Sequence, residues 1–424
     1  MTTTGLVADD LTGANDAAVH FARQGWNVHL LISPGSVPEV MPTGTPLYAT
    51  TTGARAAAPA VAERITAKAL RDAAGRGAGR FYLKIDSTVR GSIAAQVRGS
   101  LKALAGLGHD AAAVLCPAYP SMGRSLRNAV LEVQGVPVAK TSLHDDPVTP
   151  VLHSDLRDAI PGARLIGSGA RGAVALRSAF EGAYAAGERL LVVDAVTDDD
   201  LAELARAIAS CNLPLLPVGS AGLAAAVART WTHQSAPPIF PLPTKARGDS
   251  QIVQVSSLNP ISLGQVSRLD SHGGFSVTTI EPPVSALTSP DHTFCWLQNL
   301  QRARSPAQAK SLTLVKTPPD RAALHDPHRM ATGLAEITAA LLRTGDFNAA
   351  GLIGGDGALA ALRALNCPSL RVHGSLAEGV PLAITAGGDV PELPVFTKAG
   401  GFGHEDSLIR AIASLNVSLN RSTQ

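Results

Sequence analysis

The chain has 424 residues, 45% of them hydrophobic and 4% aromatic, and its formal net charge is +2. This length exceeds what one hydrophobic core usually supports, so two domains are expected. A nearly balanced charge without a long basic run does not indicate nucleic-acid or anionic-membrane binding, and no apolar stretch approaches the roughly 20 residues of a membrane span, so small molecules are the expected partners.

The four cysteines are widely scattered and form no CxxC pair. Neither a zinc site nor a disulfide framework is therefore indicated, and most of the cysteines are expected to be buried. The N-terminal MTTTGLVADD lacks a basic region and reaches an acidic residue at Asp9. We accordingly expect no signal peptide and a cytoplasmic location.

Strands and helices alternate in the first half of the sequence. Apolar runs predict strands at 5–8, 28–32, 80–85, 112–116, 190–194 and 214–218, and amphipathic or Ala-rich segments predict helices at 57–75, 91–105 and 198–209. Such alternation favours a parallel sheet with helices on both faces. Gln134-Gly135 lies between two apolar runs and predicts a hairpin, which would make the sheet mixed in direction.

Four prolines between Pro237 and Pro243 mark a change in composition. A stretch that lacks backbone donors and is semi-rigid suits a linker, which we predict at 237–248, between domains at 1–236 and 249–424. The second half resumes the α/β pattern, with strands predicted at QIVQV, WLQNL, LTLV, AGLIG, LRVH and LPVFT and helices near 260–270, 329–343, 357–366 and 405–414. The predicted fold class is α/β, with two α/β domains and mostly parallel or mixed sheets.

Asp9 and Asp10 follow the first predicted strand in GLVADDLTGANDAAVHFARQG, and a predicted helix follows them, with Gly25 as its stop. In open α/β sheets, ligands bind outside the carboxyl ends of the strands. The two carboxylates could simply cap the helix. Two of them in one exposed turn favour a role in binding a metal or hydroxyl, or in proton transfer.

A second polar cluster follows the strand in FYLKIDSTVRGSIAAQV, residues 81–97. Its chemistry-bearing residues are Lys84, Asp86, Ser87, Thr88 and Arg90. Two cations could bind a carboxylate on a ligand, and Asp86 could act as a base for a ligand hydroxyl. The alternative is a capped helix with a local ion pair. A third loop, PAYPSMGRSLRNA, carries Arg124 and Asn128 but is a weak signal alone.

In the second domain, AGLIGGDGALAALRAL predicts a strand, a glycine turn and a helix. Backbone amides at such a turn can bind phosphate, although a turn without ligand would also use glycine. Gly355, Gly357 and Ala360 also spell a dinucleotide fingerprint, and Glu378 lies 21 residues beyond Gly357. The strand predicted at LRVH ends several residues before Glu378, which weakens the hydride-transfer interpretation.

Near the C-terminus, LPVFTKAGGFGHED places Lys398, Gly400, Gly401 and Gly403 after a strand. A lysine among glycines could form an anion cradle, or merely turn the chain into the last helix. Two glycine turns in one domain favour nucleotide binding. The sequence contains no GxxxxGK[ST], HExxH or GxSxG motif.

Taken together, these segments resemble the four-carbon acid sugar kinase family over nearly the whole chain. The resemblance is carried by VADDLTGANDAA, KIDSTVRG, PAYPSMGRSLRNA, GSAGLA at 219–224, GGD at 354–356 and TKAGGFG at 397–403. It implies a first domain that binds the acid sugar and a second that binds ATP with Mg²⁺, with a ligand cleft between them. A homodimer is left open.

The resemblance also implies site residues in this sequence. The substrate-side candidates are Asp9, Asp10, Arg55, Lys84, Asp86 and Arg90, and the nucleotide-side candidates are Ser257, Gly354, Gly355, Asp356, Gly357, Lys398, Gly400 and Gly401. Asp86 is expected to accept the hydroxyl proton, with Asp10 as the rival. The metal ligands are unknown.

Three positions depart from the family pattern. In the turn TTTGAR, only Arg55 matches the residues that the family usually has there. Ser256-Ser257 stands where the family usually has Gly-Ser, and Gly357 stands where threonine is common. The opening LTGAND looks closest to members that act on D-threonate or D-erythronate, so phosphorylation of such an acid at O4 is expected. The alternatives are a 3-oxo-tetronate kinase, an NAD-dependent oxidoreductase and a non-catalytic sugar-acid sensor.

Overall fold

The computed structural model describes residues 2–32, 46–146, 148–166, 172–232, 242, 248–271, 274–303, 311–318 and 326–421. They form two compact units, which we call unit 1 (the described parts of Met1–Val28 and Pro42–Pro238) and unit 2 (those of His29–Met41 and Ile239–Gln424). Unit 2 thus includes a segment of the first half of the sequence, which the boundary predicted at 237–248 did not anticipate. Apart from Leu242 and Gly248, the predicted linker lies outside the described residues.

The first half of the chain alternates strands and helices, as predicted. In chain order its elements are β1 (Thr3–Ala8), α1 (Leu11–Arg23), β2 (Asn27–Leu31), β3 (Pro46–Thr51), α2 (Pro59–Gly75), β4 (Ala78–Lys84), α3 (Ile93–Gly106), β5 (Ala112–Cys116), β6 (Arg124–Arg127), β7 (Val130–Val133), β8 (Val136–Pro137), α4 (Leu156–Ala159), β9 (Arg164–Leu165), α5 (Ala173–Ala185), β10 (Leu190–Val192), α6 (Asp198–Ser210), β11 (Leu215–Gly219) and α7 (Ala221–Trp231).

The main sheet of unit 1 is parallel, in the order β3-β1-β4-β11-β5-β10-β9. Every residue of β5 is buried, as expected for a strand with helices on both faces of its sheet. A separate antiparallel sheet, β6-β7-β8, turns at Gln134-Gly135, which confirms the predicted hairpin. The strand β3 was not predicted.

The second half continues the α/β pattern. Its elements are β12 (Ser250–Val255), α8 (Pro260–Ser271), β13 (Ser276–Ile280), α9 (Val284–Leu287), α10 (Pro290–Ala303), β14 (Ser311–Lys316), α11 (Pro327–Leu342), β15 (Phe347–Ile353), α12 (Gly355–Ala364), β16 (Ser369–Ala377), β17 (Val380–Ala386), β18 (Pro394–Lys398) and α13 (Ser407–Arg421).

The sheet of unit 2 is mixed. The strands β13-β14-β12-β15-β18 are parallel, whereas β17 runs antiparallel to both β18 and β16. Residues 29–31 of β2 pair antiparallel with β16, which is why this early segment belongs to unit 2. Phe396, from β18, lies in a core cluster with residues of β12, β14, β15 and β17.

The strand predicted at WLQNL is wrong, because these residues lie within α10. Thr293 and Leu297, four residues apart, are buried while Phe294 and Gln298 are exposed, so the helical period decides the structure of a short apolar run. Cys116 and Cys367 are buried, but Cys211 is half-buried and Cys295 is exposed, so the expectation that most of the cysteines are buried is wrong. Within the described ranges, none of the helices has the length and apolar character needed to cross a membrane.

Candidate functional site

The substrate-side candidates meet at the carboxyl edge of the sheet in unit 1. The register pairs Ala8, at the end of β1, with Thr51 of β3 and Lys84 of β4, so these three parallel strands end level with one another. Asp9 and Asp10 follow β1, Arg55 follows β3, and Asp86 and Arg90 follow β4. Because neighbouring parallel strands deliver their next residues to the same place, the turns lie in contact.

Arg55 joins these turns through hydrogen bonds to two carboxylates. Its Nε and Nη2 donate to Asp9 at 3.0 and 2.9 Å, and its Nη1 and Nη2 donate to Asp10 at 2.8 Å each. Its Nη2 also lies 3.5 Å from Asp86 Oδ1. The side chain of Asp9 is fully buried, and both of its carboxylate oxygens accept hydrogen bonds from Arg55. The charges of Asp10, Asp9 and Asp86 outweigh burial and raise the pKa of Arg55 well above its ordinary value.

Asp10 caps α1 and also binds Arg55, so the capping role considered for the pair is real for one member. Oδ1 accepts from the Gly13 amide at 2.9 Å, and Oδ2 accepts from the Thr12 hydroxyl at 2.6 Å. With the two bonds from Arg55, each oxygen of Asp10 accepts two donors. Burial opposes ionisation, but the charges of Arg55 and Lys84 outweigh it and lower the pKa of Asp10. Asp10 is therefore ionised and its acceptor sites are filled.

One carboxylate oxygen of Asp86 can accept a further hydrogen bond. Its Oδ2 accepts from the amide and hydroxyl of Thr88 and from Arg90 Nε at 2.9 Å. Among the described residues, its Oδ1 accepts from Arg90 Nη2 at 2.9 Å and otherwise makes only the longer contact with Arg55. Burial acts against the charge, yet Arg90 and Arg55 hold the pKa of Asp86 well below its ordinary value. The carboxylate is thus charged at neutral pH, with Oδ1 able to accept a further hydrogen bond.

Two more cations lie at this edge. Lys84 is buried, and its Nζ donates to the Ile85 carbonyl at 2.7 Å. Arg124 interacts electrostatically with Asp86 and Arg90 and donates to the Met122 carbonyl. The sequence of the loop PAYPSMGR was only a weak indication that Arg124 belongs to the site. The fold places Arg124 close to Asp86 and Arg90. The backbone amide of Asn128 instead donates a hydrogen bond to Asp194 Oδ2 at 2.6 Å.

The turn after β4 is held in a strained backbone conformation. Val89 has φ +55°, which a β-branched residue rarely adopts, and Gly91 has φ +84°. A Cβ at Gly91 would collide with the backbone of Arg55, so only glycine lets the two turns approach this closely. Such strain is concentrated where a site must be held in one geometry.

The nucleotide-side candidates meet at the carboxyl edge of unit 2. The register pairs Val255 of β12 with Ile353 of β15, and Ile353 with Lys398 of β18, so three neighbouring strands again end level. Ser256 and Ser257, the glycine turn 354–357 and the loop 399–403 follow these strands. A Cβ at Gly400 would collide with Ser257 Oγ, and one at Gly354 would lie 2.6 Å from Ser256 Oγ. We call these three converging turns the glycine cradle.

The cradle combines unmatched amides with a buried cation. The helix α12 begins at Gly355 after Gly354, which provides no side-chain cap, so the amides of its first turn point outward without intrahelical partners. Lys398 is 1% exposed, and its Nζ donates to the carbonyls of Ala399 and Phe402 at 2.8 and 2.9 Å. Burial lowers the pKa of Lys398 to about 8, and no charged neighbour among the described residues contributes to this shift. Amides and a lysine in this arrangement suit a phosphate group.

Three buried side chains that the sequence analysis missed hold the cradle. Ser262 Oγ donates to the Gly400 carbonyl at 2.7 Å, Gln265 Nε2 donates to the His404 carbonyl at 2.7 Å, and Gln254 Nε2 donates to the Gly357 carbonyl at 2.9 Å. Each of these hydrogen bonds fixes the position of a backbone carbonyl and so restrains a glycine-rich segment. The two glutamines of the predicted strand QIVQV, Gln251 and Gln254, were the available signal, because a buried amide needs hydrogen-bond partners.

Two of the departures from the family pattern occupy the same space. A Cβ at Gly357 would overlap both Oγ and Cβ of Ser256. Ser256 Oγ itself donates to the Ile353 carbonyl at 2.9 Å and is thereby fixed in place. The serine at 256 therefore requires glycine at 357, so that these two departures form one coupled change rather than two independent losses.

The dinucleotide fingerprint requires a corrected argument. The strand β16 runs from Ser369 to Ala377 and Glu378 follows it directly, so the expectation that this strand ends several residues earlier is wrong. However, β18 and β17 separate β16 from β15 in the sheet. The fingerprint needs its acidic residue on the strand beside the glycine turn, and this topology does not supply it.

In the part of the chain that is described, no group of three or more His, Cys, Asp or Glu side chains could hold a metal ion.

Comparison with known proteins agrees with this division of sites. Residues 4–227 match the family model of a sugar-binding N-terminal domain, and residues 252–408 match that of a nucleotide-binding C-terminal domain. The chain is 35% identical to a D-threonate kinase of Bordetella bronchiseptica over 97% of each chain. It is 27% identical to a D-erythronate kinase of Heliobacterium modesticaldum, over 99% of this chain and 98% of that one.

The fold is also similar to a solved structure. The crystal structure of Haemophilus influenzae protein HI1011 matches with a TM-score of 0.72 at 23% identity, covering 96% of this chain and 99% of that one. At this identity the likeness supports the two-domain α/β fold.

The coupling between Ser256 and Gly357 can be measured with a double-mutant cycle. We expect Gly357→Ala to destabilise the protein by about 1–3 kcal/mol through overpacking. In the Ser256→Gly background the same substitution should cost less, because the overlapping side chain is gone. Urea unfolding of the four proteins gives the interaction energy. Strictly additive effects would show that the two positions do not share the space.

Burial of Lys398 predicts a pH dependence of phosphate binding. Only the charged lysine attracts an anion, so affinity for ADP should be constant up to about pH 8, the pKa of Lys398, and fall as pH rises further. The terminal phosphate has a pKa of about 6 and no longer titrates in this range. Calorimetry from pH 7.5 to 9.5 should show weaker, pH-independent binding for Lys398→Met. Parallel profiles for the two proteins would exclude Lys398 as the cause.

Proposed function

The chain belongs to the four-carbon acid sugar kinase family, and on this premise we propose that it transfers the γ-phosphoryl group of ATP to O4 of a four-carbon sugar acid, with D-threonate or D-erythronate favoured. Unit 1 would bind the acid and unit 2 the nucleotide, with the domain boundary at 237–248. The observation that supports this most directly is that each unit gathers a different chemistry at the carboxyl edge of its sheet. Unit 1 gathers cations and carboxylates, and unit 2 gathers glycines and a buried lysine.

The glycine cradle is the proposed site of the triphosphate. The first-turn amides of α12 can donate to phosphate oxygens, and the helix dipole favours negative charge there. Lys398 would supply the cation that a buried anion requires, and Gly354, Gly355, Gly357, Gly400 and Gly401 would allow the backbone to approach. The donor set fits ATP. Mg²⁺ would arrive with the nucleotide, held mainly by phosphate oxygens, where it neutralises charge.

The cluster around Arg55 is the proposed site of the acid. Arg55, Lys84, Arg90 and Arg124 provide cations for the carboxylate of the acid, since guanidinium groups bind carboxylates in two-point contacts. Asp9 and Asp10 would keep Arg55 in position. Asp86 Oδ1 has acceptor capacity left, so it can accept a hydrogen bond from a substrate hydroxyl.

The chemistry follows from the nature of phosphoryl transfer. Its transition state is loose, so catalysis rests on positioning and on stabilising negative charge rather than on a strong base. A carboxylate with a depressed pKa can therefore serve by orienting the hydroxyl and taking its proton late in the reaction. For this reason we retain Asp86 as the proposed acceptor and assign Asp10, whose oxygens are filled, to holding Arg55 and capping α1.

The remaining expectations belong to the same proposal. The use of ATP as donor is consistent with a cytoplasmic location. The homodimer and the cleft between the domains stay predictions, and light scattering would decide the first of them.

The proposed activity is tested by ADP release from Mg-ATP with a panel of D- and L-threonate, D- and L-erythronate and 3-oxo-tetronates. Turnover with D-threonate or D-erythronate is expected, and phosphorus NMR of the product should show an ester at O4. Turnover confined to 3-oxo-tetronates would replace the substrate and keep the reaction. ATP binding without turnover on any acid would favour the sensor, and NAD binding without ATP binding would favour the oxidoreductase.

The role of Asp86 is tested by Asp86→Asn. We expect kcat to fall by about 10²–10⁴-fold, because the hydroxyl loses its proton acceptor, while the Kd for ADP changes by less than about threefold. Asp146→Asn is the matched control, since Asp146 Oδ2 also lies near Arg90, at 4.0 Å, but belongs to a separate loop. It should leave kcat nearly unchanged. A near-normal kcat for Asp86→Asn would remove Asp86 from the reaction.

A further inference from the structure

Unit 2 contains a large groove outside the glycine cradle. It has a volume of 880 Å³ and runs along one face of α12, bounded by α11 and α10. Its apolar lining includes Phe294 and Leu297 of α10 and Leu359 and Ala360 of α12. This volume lies within the roughly 300–1,000 Å³ of small-molecule sites, which are mostly apolar with a few polar groups. The proposed triphosphate contacts do not use the groove.

The groove begins at the cradle. Asp356, the third residue of the turn GGDG, lies in the first turn of α12 and also lines the groove. Leu359 and Ala360 follow one turn further along the same helix face. A ligand whose anionic end occupied the amides of Gly355 and Gly357 would therefore continue directly over Asp356 into the groove.

The two ends of this path differ in the polar groups that they present. The cradle offers Lys398 and unmatched amides, which attract phosphate. The groove has polar groups of both signs, namely the carboxylates of Asp291, Glu336 and Asp356 and the guanidinium groups of Arg343 and Arg363, which can accept and donate hydrogen bonds to hydroxyl or amino groups and ring nitrogens. Arg329 binds both oxygens of Glu336 at 3.0 Å, which fixes that wall. The combined site thus suits a molecule with one anionic end and one flat, apolar end that carries polar edges.

Phe294 supplies a surface for such a flat group. Its side chain is exposed, at 61%, although it is large and apolar, and it lines the groove. An exposed aromatic ring beside a polar rim is suited to stacking on a base. Gln298 and Thr332 on the adjoining helices add donors and acceptors at the edge.

We propose that this groove binds the adenosine portion of ATP, while the glycine cradle binds the phosphates. This assignment rests on the proposed kinase function and adds the nucleoside site to it. Phe294, Leu359 and Ala360 form the surface against the base, and Asp356 lies where the ribose passes from groove to cradle.

The test separates the nucleoside from the phosphates. Calorimetry on the full chain compares ADP with inorganic tripolyphosphate, which has no nucleoside. Ala360→Trp fills the groove and should weaken ADP binding by about tenfold or more, equivalent to about 1.4 kcal/mol, while tripolyphosphate binding stays within about twofold. Phe294→Ala should weaken ADP binding by at least about threefold. Cys295→Ala, an exposed neighbour on α10 that does not line the groove, is the matched control and should change neither.

Other outcomes overturn the assignment. Unchanged ADP binding in both Phe294→Ala and a folded Ala360→Trp would exclude the nucleoside from the groove. An altered oligomeric state in Ala360→Trp with unchanged ADP affinity would identify the groove as a contact between copies of the chain. Equal loss of ADP and tripolyphosphate in Phe294→Ala would place its effect on the cradle. If Ala360→Trp does not fold, the exposed pair Phe294→Ala and Cys295→Ala decides alone.

The same measurements show separately whether the groove is the nucleoside site and whether the protein is a sugar-acid kinase. Acid turnover by the unmodified protein, together with unchanged ADP affinity in the groove variants, would reject the groove and keep the kinase. Selective loss of ADP affinity in a protein that phosphorylates no acid would keep the nucleoside site and reject the proposed reaction.

Discussion

The arrangement of unit 1 depends on Arg55 and the carboxylates around it. Asp9 is fully buried, and a buried carboxylate without a partner is costly, so removing the guanidinium would leave charges that the fold could not accommodate. Because Arg55 binds Asp9 and Asp10 and approaches Asp86, the turns after β1, β3 and β4 are held as one surface. The positive φ of Gly91 and its approach to the Arg55 backbone belong to the same constraint.

The carboxyl edge of the sheet in unit 2 is held in place by different interactions. The buried cation Lys398 lies beside the glycine cradle, which is shaped by close backbone packing in which serine hydroxyls occupy the space above glycines. Side chains of Gln254, Ser262 and Gln265 hold the carbonyls of those glycine segments. The two units therefore share a topology in which level parallel strands end together, but one edge presents side-chain charge and the other presents backbone amides.

Much of the candidate site could be located from the sequence, because its residues follow strands directly. The residues Asp9, Asp86 and Lys398 each lie within two residues of an apolar run, so the period of the sequence identified their turns. Errors arose where a signal was short or remote. The five residues WLQNL fit a strand or a helix equally well, and neighbours on α10 decided the matter. The strand containing LRVH extends to Ala377 because pairing with β17 continues it, which the local pattern did not indicate.

The sequence by itself determined the alternation of strands and helices, the candidate turns and the family, because these depend on local periodicity and on contiguous motifs. Only the tertiary structure decided which oxygen of which carboxylate can still accept a hydrogen bond, that Ser256 and Gly357 share one space, and that a groove continues from Asp356. Each of these depends on distances between side chains far apart in the chain, and such distances are set by sheet register and packing rather than by spacing along the sequence.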